Sequence, residues 1–295
     1  TILHNLRKTV ERAGVQVENI VISPLALTRS VLNEGEREFG ATVIDLGGGQ
    51  TTVAVMRNQE LQYTNIYQEG GDYITKAISK VLTTSQSIAE NLKFNYGIAY
   101  PQDASDKEKF TVEVIGESTP VEVTERYLAE VVSARLRQIF DRVRQDLERT
   151  RALDLPGGVV LVGGVAILPD IAELAQEVLG ANKKLFVPNQ IGIRNPAFAS
   201  VISFVEYVGG LEEVEKIAQR AVNGEADLRQ KPIDFTVSRP RVVPTIQPEV
   251  TIPVETNEDN ERSLHDFEEE HDETQSATRS NFTDRLRSLF GSMFE

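Results

Sequence analysis

ATVIDLGGGQTTVAVMRNQELQYTNIYQ, residues 41–68, sets three consecutive glycines between two apolar runs rich in Val, Ile and Thr. β-Branched and aromatic residues favour strands and glycine clusters mark turns, so the stretch predicts hairpin-connected strands. Within DLGGGQT, Gly47, Gly48 and Gly49 let the backbone turn sharply and bring its N–H groups close to a phosphate with no Cβ in the way. Thr51 adds a hydroxyl, and Asp45 is placed to hold a metal ion through water. The same three glycines would also serve a plain hairpin turn that needs positive φ.

A second glycine motif lies far downstream. VVLVGGVAILP (Val159 to Pro169) puts Gly163 and Gly164 directly after a fully apolar strand. In open α/β sheets ligands bind at the carboxyl ends of strands, where loops must be small. Between the two motifs, AENLKFNYG places Glu90 and Lys93 three apart on one helical face, suited to grip a ribose. Taken alone, that pair is an ordinary surface i,i+3 ion pair. Neither glycine motif matches the P-loop or GxGxxG.

The remaining chain reads as mixed α/β. Residues 4–14 have helical spacing, VENIVISPLA reads as a buried strand, and ALTRSVLNEGEREFG reads as a helix running into a turn. GGDYITKAISKVLTTSQSIAENLKFNYG is helical in two pieces, and TVEVIGESTPVEVT is another hairpin. RYLAEVVSARLRQIFDRVRQDLERT predicts a long amphipathic helix, with Leu128, Val131, Val132, Leu136, Ile139, Phe140, Val143 and Leu147 on one side. DIAELAQEVLG predicts a short helix, and NPAFASVISFVEYVGG closes the globular part. No solenoid repeat is present.

Composition excludes several function classes. The formal charge is −14, which argues against nucleic acid as a partner. Zero cysteines exclude disulfides and thiolate sites. The three His are scattered, which disfavours a histidine-based site. No run reaches the roughly 18–20 apolar residues of a membrane span. Thr1 stands inside a helical segment with no initiator Met, so the sequence predicts a fragment lacking its N-terminal part.

After residue 210 the character changes. Five prolines from Pro232 to Pro253 lead into residues 255–273, which hold ten acidic side chains against Arg262 alone. Such a segment cannot bury enough surface to offset ordering entropy, so 222–279 reads as a disordered linker. SNFTDRLRSLFGSMFE then ends the chain. On a helical wheel Phe282, Leu286, Leu289, Phe290, Met293 and Phe294 fall within about 140° of arc. Arg285 and Arg287 flank the arc, where they would snorkel to anionic headgroups. A helix this short is marginal in water and should form on a surface that covers its apolar side. That surface is read as a membrane, the alternative being its own domain or a protein partner.

In order, DLGGGQT, GGDYIT, AENLKFNYG and VLVGGVAILP resemble the actin/Hsp70/sugar-kinase ATPase superfamily. The first is similar to its second phosphate motif and the last to its adenosine motif. SPLALTRSVL and PAFASVIS resemble its two connecting helices. NLRKTVERAGVQVENIVISPLA followed by SVLNEGEREFGATVIDLGGG resembles the FtsA family of bacterial cell-division proteins. A flexible linker with a membrane-targeting helix is that family's ending, whereas Hsp70 chaperones carry a β-sandwich and sugar kinases a compact C-terminus.

The resemblance implies the second half of an actin-like ATPase (ribonuclease H-like) α/β fold with a disordered tail ending in the amphipathic helix. Residues 1–39 would be a remnant of the first subdomain, and 40–71 with 156–210 the nucleotide-binding subdomain. Residues 72–155 would form a small inserted subdomain, 211–279 the acidic linker and 280–295 the membrane helix. It implies ATP with Mg2+ in the full-length protein. Gly47, Gly48, Gly49 and Thr51 would face the phosphates, with Asp45 near the metal. Gly70 and Gly71 would lie beside the nucleotide, Glu90 and Lys93 at the ribose, and Gly163 and Gly164 against the adenosine. Two departures stand out. Ser23 occupies the place of a glutamate that positions the attacking water in Hsp70-like relatives, so hydrolysis should be slow or absent. Val165 stands where many relatives have a third small residue.

The implied role is a self-associating adaptor that tethers FtsZ filaments to the cytoplasmic membrane at the septum, peripheral on its cytoplasmic face, with anionic lipids and other division proteins as partners. Arg135 and Arg137 in SARLRQIF are the expected contact for the acidic FtsZ peptide, because guanidinium suits carboxylate. The alternative is that both solvate the outer side of their helix. The competing classes are a sugar- or acetate-kinase-like phosphotransferase and a pilus-assembly actin-like adaptor. The first needs a carboxylate base in the cleft, for which only Asp45 offers itself. The second lacks a terminal amphipathic helix.

Overall fold

The computed structural model describes residues 2–17 and 19–222. The linker and the terminal helix expected beyond residue 222 therefore lie outside the described residues. The first helix, α1 (Ile2–Arg12), forms as expected. VENIVISPLA does not form the expected strand. Ile20 and Ile22 are exposed, no described strand pairs with them, and Ser23 opens a helix, α2 (Ser23–Val31). A lone strand leaves its backbone donors and acceptors without partners. Pro24 in the first turn starts a helix at no cost, since its missing N–H would have no helical partner there.

ALTRSVLNEGEREFG, expected as a helix running into a turn, instead holds a second helix after the turn. Asn33 caps α3 (Glu34–Phe39): its side chain accepts the Glu36 N–H at 2.9 Å, and the Glu36 carboxylate accepts the Asn33 N–H at 2.9 Å. This reciprocal capping box favours a new helix start over continuation of α2.

The expected hairpins follow as β1 (Ala41–Leu46), β2 (Thr51–Arg57) and β3 (Glu60–Tyr67). Next come α4 (Gly71–Val81), α5 (Gln86–Tyr96), the β4 (Lys109–Val112) and β5 (Val121–Thr124) hairpin, and the 26-residue α6 (Glu125–Thr150). All eight residues of the predicted apolar stripe on α6 are buried. β6 (Val159–Val162) and α7 (Ile171–Leu179) match their predictions. β7 (Lys183–Leu185) is unexpected: three residues, two of them lysine, show no alternation, and charged side chains are typical of an edge strand. α8 (Ala199–Gly209) and α9 (Glu213–Val222) complete the described chain, so the linker expected from residue 211 begins with a helix.

The five-stranded sheet runs β3-β2-β1-β6-β7, with β1, β6 and β7 parallel and β2 and β3 antiparallel. Alternation along β1 assigns its faces. Ala41 and Val43 join Met56, Val160 and Val162 in a buried cluster with Leu27 and Val31 of α2, its C-cap Leu32, and Ala199 of α8. On the other face, the Thr42 hydroxyl donates to the Ala152 carbonyl just after α6, at 3.4 Å. The two segments likened to connecting helices thus lie together over one face. The Ser30 hydroxyl joins them by donating to the Glu206 carboxylate, and Arg29 sits 5.7 Å over the Tyr207 ring. Because β1 and β6 are parallel with Asp45 beside Val162, their carboxyl ends reach the same edge.

Candidate functional site

At that edge the triglycine turn closes with the Gly47 N–H on the Gln50 carbonyl at 3.0 Å. The turn then docks on α4: the Gly71 N–H donates to the Gly47 carbonyl at 2.9 Å and the Asp72 N–H to the Gly48 carbonyl at 2.8 Å. A Cβ on Gly70 would stand 2.5 Å from both carbonyl oxygens, so only glycine allows this approach. Two donors of the α4 N-terminus are consumed by the turn. Gly48 and Gly49 remain exposed, with the Asp72 carboxylate beside them. Thr51 differs from expectation. It is fully buried, and its hydroxyl donates to the Glu69 carbonyl at 2.7 Å. Thr51 therefore anchors the base of the turn rather than offering its hydroxyl to a phosphate.

Asp45, one residue before the end of β1, lies on the α2/α8 side. Its Oδ2 accepts the Ser200 hydroxyl of α8 at 3.0 Å. Gly163 lies against the other oxygen: a Cβ there would stand 2.5 Å from Asp45 Oδ1 and 2.6 Å from the Leu46 carbonyl oxygen. Gly164 is exposed, and a Cβ on it would meet nothing closer than 3.9 Å. Val165 is buried and would lie 3.0 Å from a Cβ on Gly71, so it forms a wall between the two glycine motifs.

The Glu90–Lys93 pair is not the ordinary surface pair of its spacing. Lys93 is buried, and its ammonium donates to Glu90 at 2.7 Å, to the Thr75 hydroxyl at 2.8 Å and to the Gly71 carbonyl at 3.1 Å. Thr75 also donates to Glu90. Burial pushes the Glu90 carboxyl up, but hydrogen bonds from Lys93 and Thr75 outweigh it and hold the group below its ordinary range. α5 is thereby fastened to the glycine pair that opens α4.

Gly47–Gly49, Gly70 and Gly71, Glu90 and Lys93, Gly163 and Gly164, and Asp45 are thus brought to one edge. Arg135 and Arg137 are not. Arg137 makes a bidentate pair with Glu177 of α7 at 2.8 and 3.1 Å, and Arg135 donates to Gln138 at 2.6 Å while lying 5.0 Å over the Tyr73 ring. Both arginines are partly exposed and already paired within the fold, so an acidic peptide would have to share or displace these contacts. Sequence reasoning missed Thr75, Asp72 and Ser200. Thr75 and Asp72 stand inside GGDYIT and were within reach of helical spacing. Nothing local marks Ser200.

No group of three or more metal-ligating side chains occurs among the described residues. The donor set fits a cation held through water instead. Asp45 is desolvated, and its one hydrogen bond among the described residues comes from a neutral hydroxyl. Burial raises its carboxyl above the ordinary 3.8, and the Ser200 bond lowers it only in part. An acid whose folded pKa exceeds its unfolded value costs stability once ionised. That cost is present at neutral pH and vanishes as pH falls below the unfolded value. Asp45→Asn is therefore expected to raise the nucleotide-free melting temperature at pH 7. The gain should disappear in acid. A pH series of thermal unfolding showing no gain at neutrality would contradict the electrostatic account.

The sequence profile described as "Cell division protein FtsA" matches residues 42–203, and "Cell division protein FtsA, C-terminal" matches 214–295. The chain is similar to the cell division protein FtsA of Streptococcus pneumoniae, 59% identical over 304 residues, covering 100% of this chain and 64% of that protein. It is 56% identical to the cell division protein FtsA of Enterococcus hirae over 225 residues, 76% of this chain and 51% of that one. The chain thus spans between half and two thirds of these relatives' length. Among solved structures, MreB5 of Spiroplasma citri bound to ADP superposes with a TM-score of 0.59 at 16% identity, over 75% of this chain and 66% of that one. The architecture is the α/β fold of actin-like ATPases.

Proposed function

The chain belongs to the cell division protein FtsA family, and from that premise we propose that it works as an ATP-binding, self-associating adaptor that tethers FtsZ filaments to the cytoplasmic membrane. The observation that carries the nucleotide half is the convergence of both glycine motifs, the α4 start and the Lys93–Glu90 pair at the carboxyl ends of β1 and β6. In this reading, residues 40–71 and 156–210 bind the nucleotide and 72–155 form the small subdomain that receives the FtsZ tail. Exposed backbone at Gly48 and Gly49 faces the phosphates and Gly164 the adenosine, with Glu90 beside the ribose. Gly47, Gly70, Gly71 and Gly163 permit the close packing, and Thr51 and Lys93 brace it. Asp45 would hold a magnesium ion through water. The ion supplies neutralisation of phosphate charge, and the protein supplies the orientation. Ser23 opens α2 where a carboxylate base would be needed, which favours binding with slow turnover.

No helix among the described residues is long and apolar enough to cross a membrane. The membrane half of the proposal rests on the sequence of residues 280–295. One short helix with two flanking arginines gives modest affinity, each basic residue adding on the order of 1 kcal/mol on anionic lipid. Firm attachment would then follow from many copies acting together in a filament. Co-sedimentation of the full-length protein with anionic vesicles tests this. The wild type is expected to pellet, and Phe290→Asp, which puts a charge in the apolar arc, to stay mostly in the supernatant. Equal pelleting of the two would remove the membrane anchor from the reading.

A further inference from the structure

Asp45 approaches its place from β1, but what holds it there comes from α8. Its Oδ1 side is shaped by Gly163, which leaves just enough room for the carboxylate. Its Oδ2 is fixed by the Ser200 hydroxyl at 3.0 Å. Neighbouring elements bring no ion pair to it: the described salt bridges all lie elsewhere, and its register partners Thr52 of β2 and Val162 of β6 are uncharged. Ser200 is itself well fixed. It lies in the first turn of α8, next to Ala199 in the buried cluster. The preceding Pro196 carbonyl accepts the Gly163 N–H at 3.2 Å, and the Asn195 side chain caps the 3-10 turn Pro196–Phe198 that leads into α8 by accepting the Ala197 N–H at 2.8 Å. One short segment, 195–200, thus grips both the carboxylate and the glycine that faces it.

We propose that Ser200 is a positioning residue that holds Asp45 in the orientation needed to engage the cation accompanying the nucleotide phosphates. The inference rests on the nucleotide reading above and assigns to α8 a role in metal dependence. A carboxylate whose Oδ1 packs against Gly163 and whose Oδ2 is tethered by a neutral donor is oriented by its neighbours while keeping its negative charge for a hydrated cation. Without the tether, rotation about χ1 and χ2 is limited only by packing. A lysine or arginine in place of the serine would neutralise the charge, whereas the hydroxyl orients it without cancelling it.

The test is titration of the full-length protein with a fluorescent ATP analogue, once with Mg2+ and once with EDTA. Ser200→Ala is expected to weaken binding about five- to tenfold with Mg2+, the worth of about one hydrogen bond, and to leave binding in EDTA unchanged. Ser200→Thr restores the hydroxyl and should bring the Mg2+-dependent affinity back to within about twofold of wild type. Loss of Mg2+-dependent binding in Asp45→Asn with none in Ser200→Ala would overturn the inference and leave the nucleotide reading intact. Equal weakening of Ser200→Ala with and without Mg2+, or no rescue by threonine, would also overturn it, since packing alone would then explain the effect. A wild type that binds the analogue under neither condition would instead overturn the nucleotide reading.

Discussion

Gly163→Ala is expected to lower the melting temperature by roughly 6–12 °C, about 3 kcal/mol for a domain of this size. Gly163 holds φ +95° and ψ 171°, a region reserved almost wholly for glycine, so any Cβ is strained before it touches a neighbour. It would then meet Asp45 Oδ1 at 2.5 Å and the Leu46 carbonyl oxygen at 2.6 Å. The Leu46 carbonyl belongs to the sheet, so relief can come only by displacing β1 or the turn after β6. Gly164→Ala is the matched control. Its Cβ would meet nothing closer than 3.9 Å, and its stability should stay close to wild type. Because Gly164 is exposed, the control should weaken nucleotide binding if this backbone faces the adenosine. Thermal unfolding of both variants decides the matter, and equal stability of the two would contradict the assigned geometry.

Lys93→Met carries the second largest expected effect, about 2 kcal/mol and roughly 4–8 °C. Methionine matches the length and apolar character of the buried stem but removes every donor. The Gly71 carbonyl then loses its ammonium partner, and the Glu90 carboxylate loses the ammonium that helps hold its pKa below the ordinary range. Glu90 is half exposed and can turn to water, so the larger share of the loss falls on the buried Gly71 and Thr75 groups. Arginine should not rescue, because a planar guanidinium does not fit a space shaped for a compact ammonium. Nucleotide affinity should fall at least about tenfold, since the α4 start and Glu90 are both held by this side chain. Unfolding at the wild-type temperature would show that the three hydrogen bonds do not brace the site.

Much of the architecture was legible because its signals are local. Triglycine between β-branched runs marks a hairpin, and eight apolar residues at helical spacing place α6 on its buried side. Glycine motifs in a fixed order implied an edge where loops meet. VENIVISPLA was misread because apolar β-branched composition describes a strand only when a neighbour is available to pair with it. The helix α3 was missed because a capping box opens a new helix where a turn was expected. β7 left no pattern in three residues.

For the site, the sequence by itself determined which residues permit close backbone approach, since glycine does so wherever it stands, and it ordered those residues along the chain. Tertiary structure alone decided what the polar residues do. Thr51 looked like a phosphate ligand and is a buried brace, because Glu69 presents a carbonyl to it. Arg137 looked free and is paired, because α7 brings Glu177 alongside. Ser200 looked like nothing and holds Asp45 across a separation of 155 residues. A hydroxyl or guanidinium carries the same chemistry in every setting; burial and the partner it meets determine its role, and both arise only when distant segments pack.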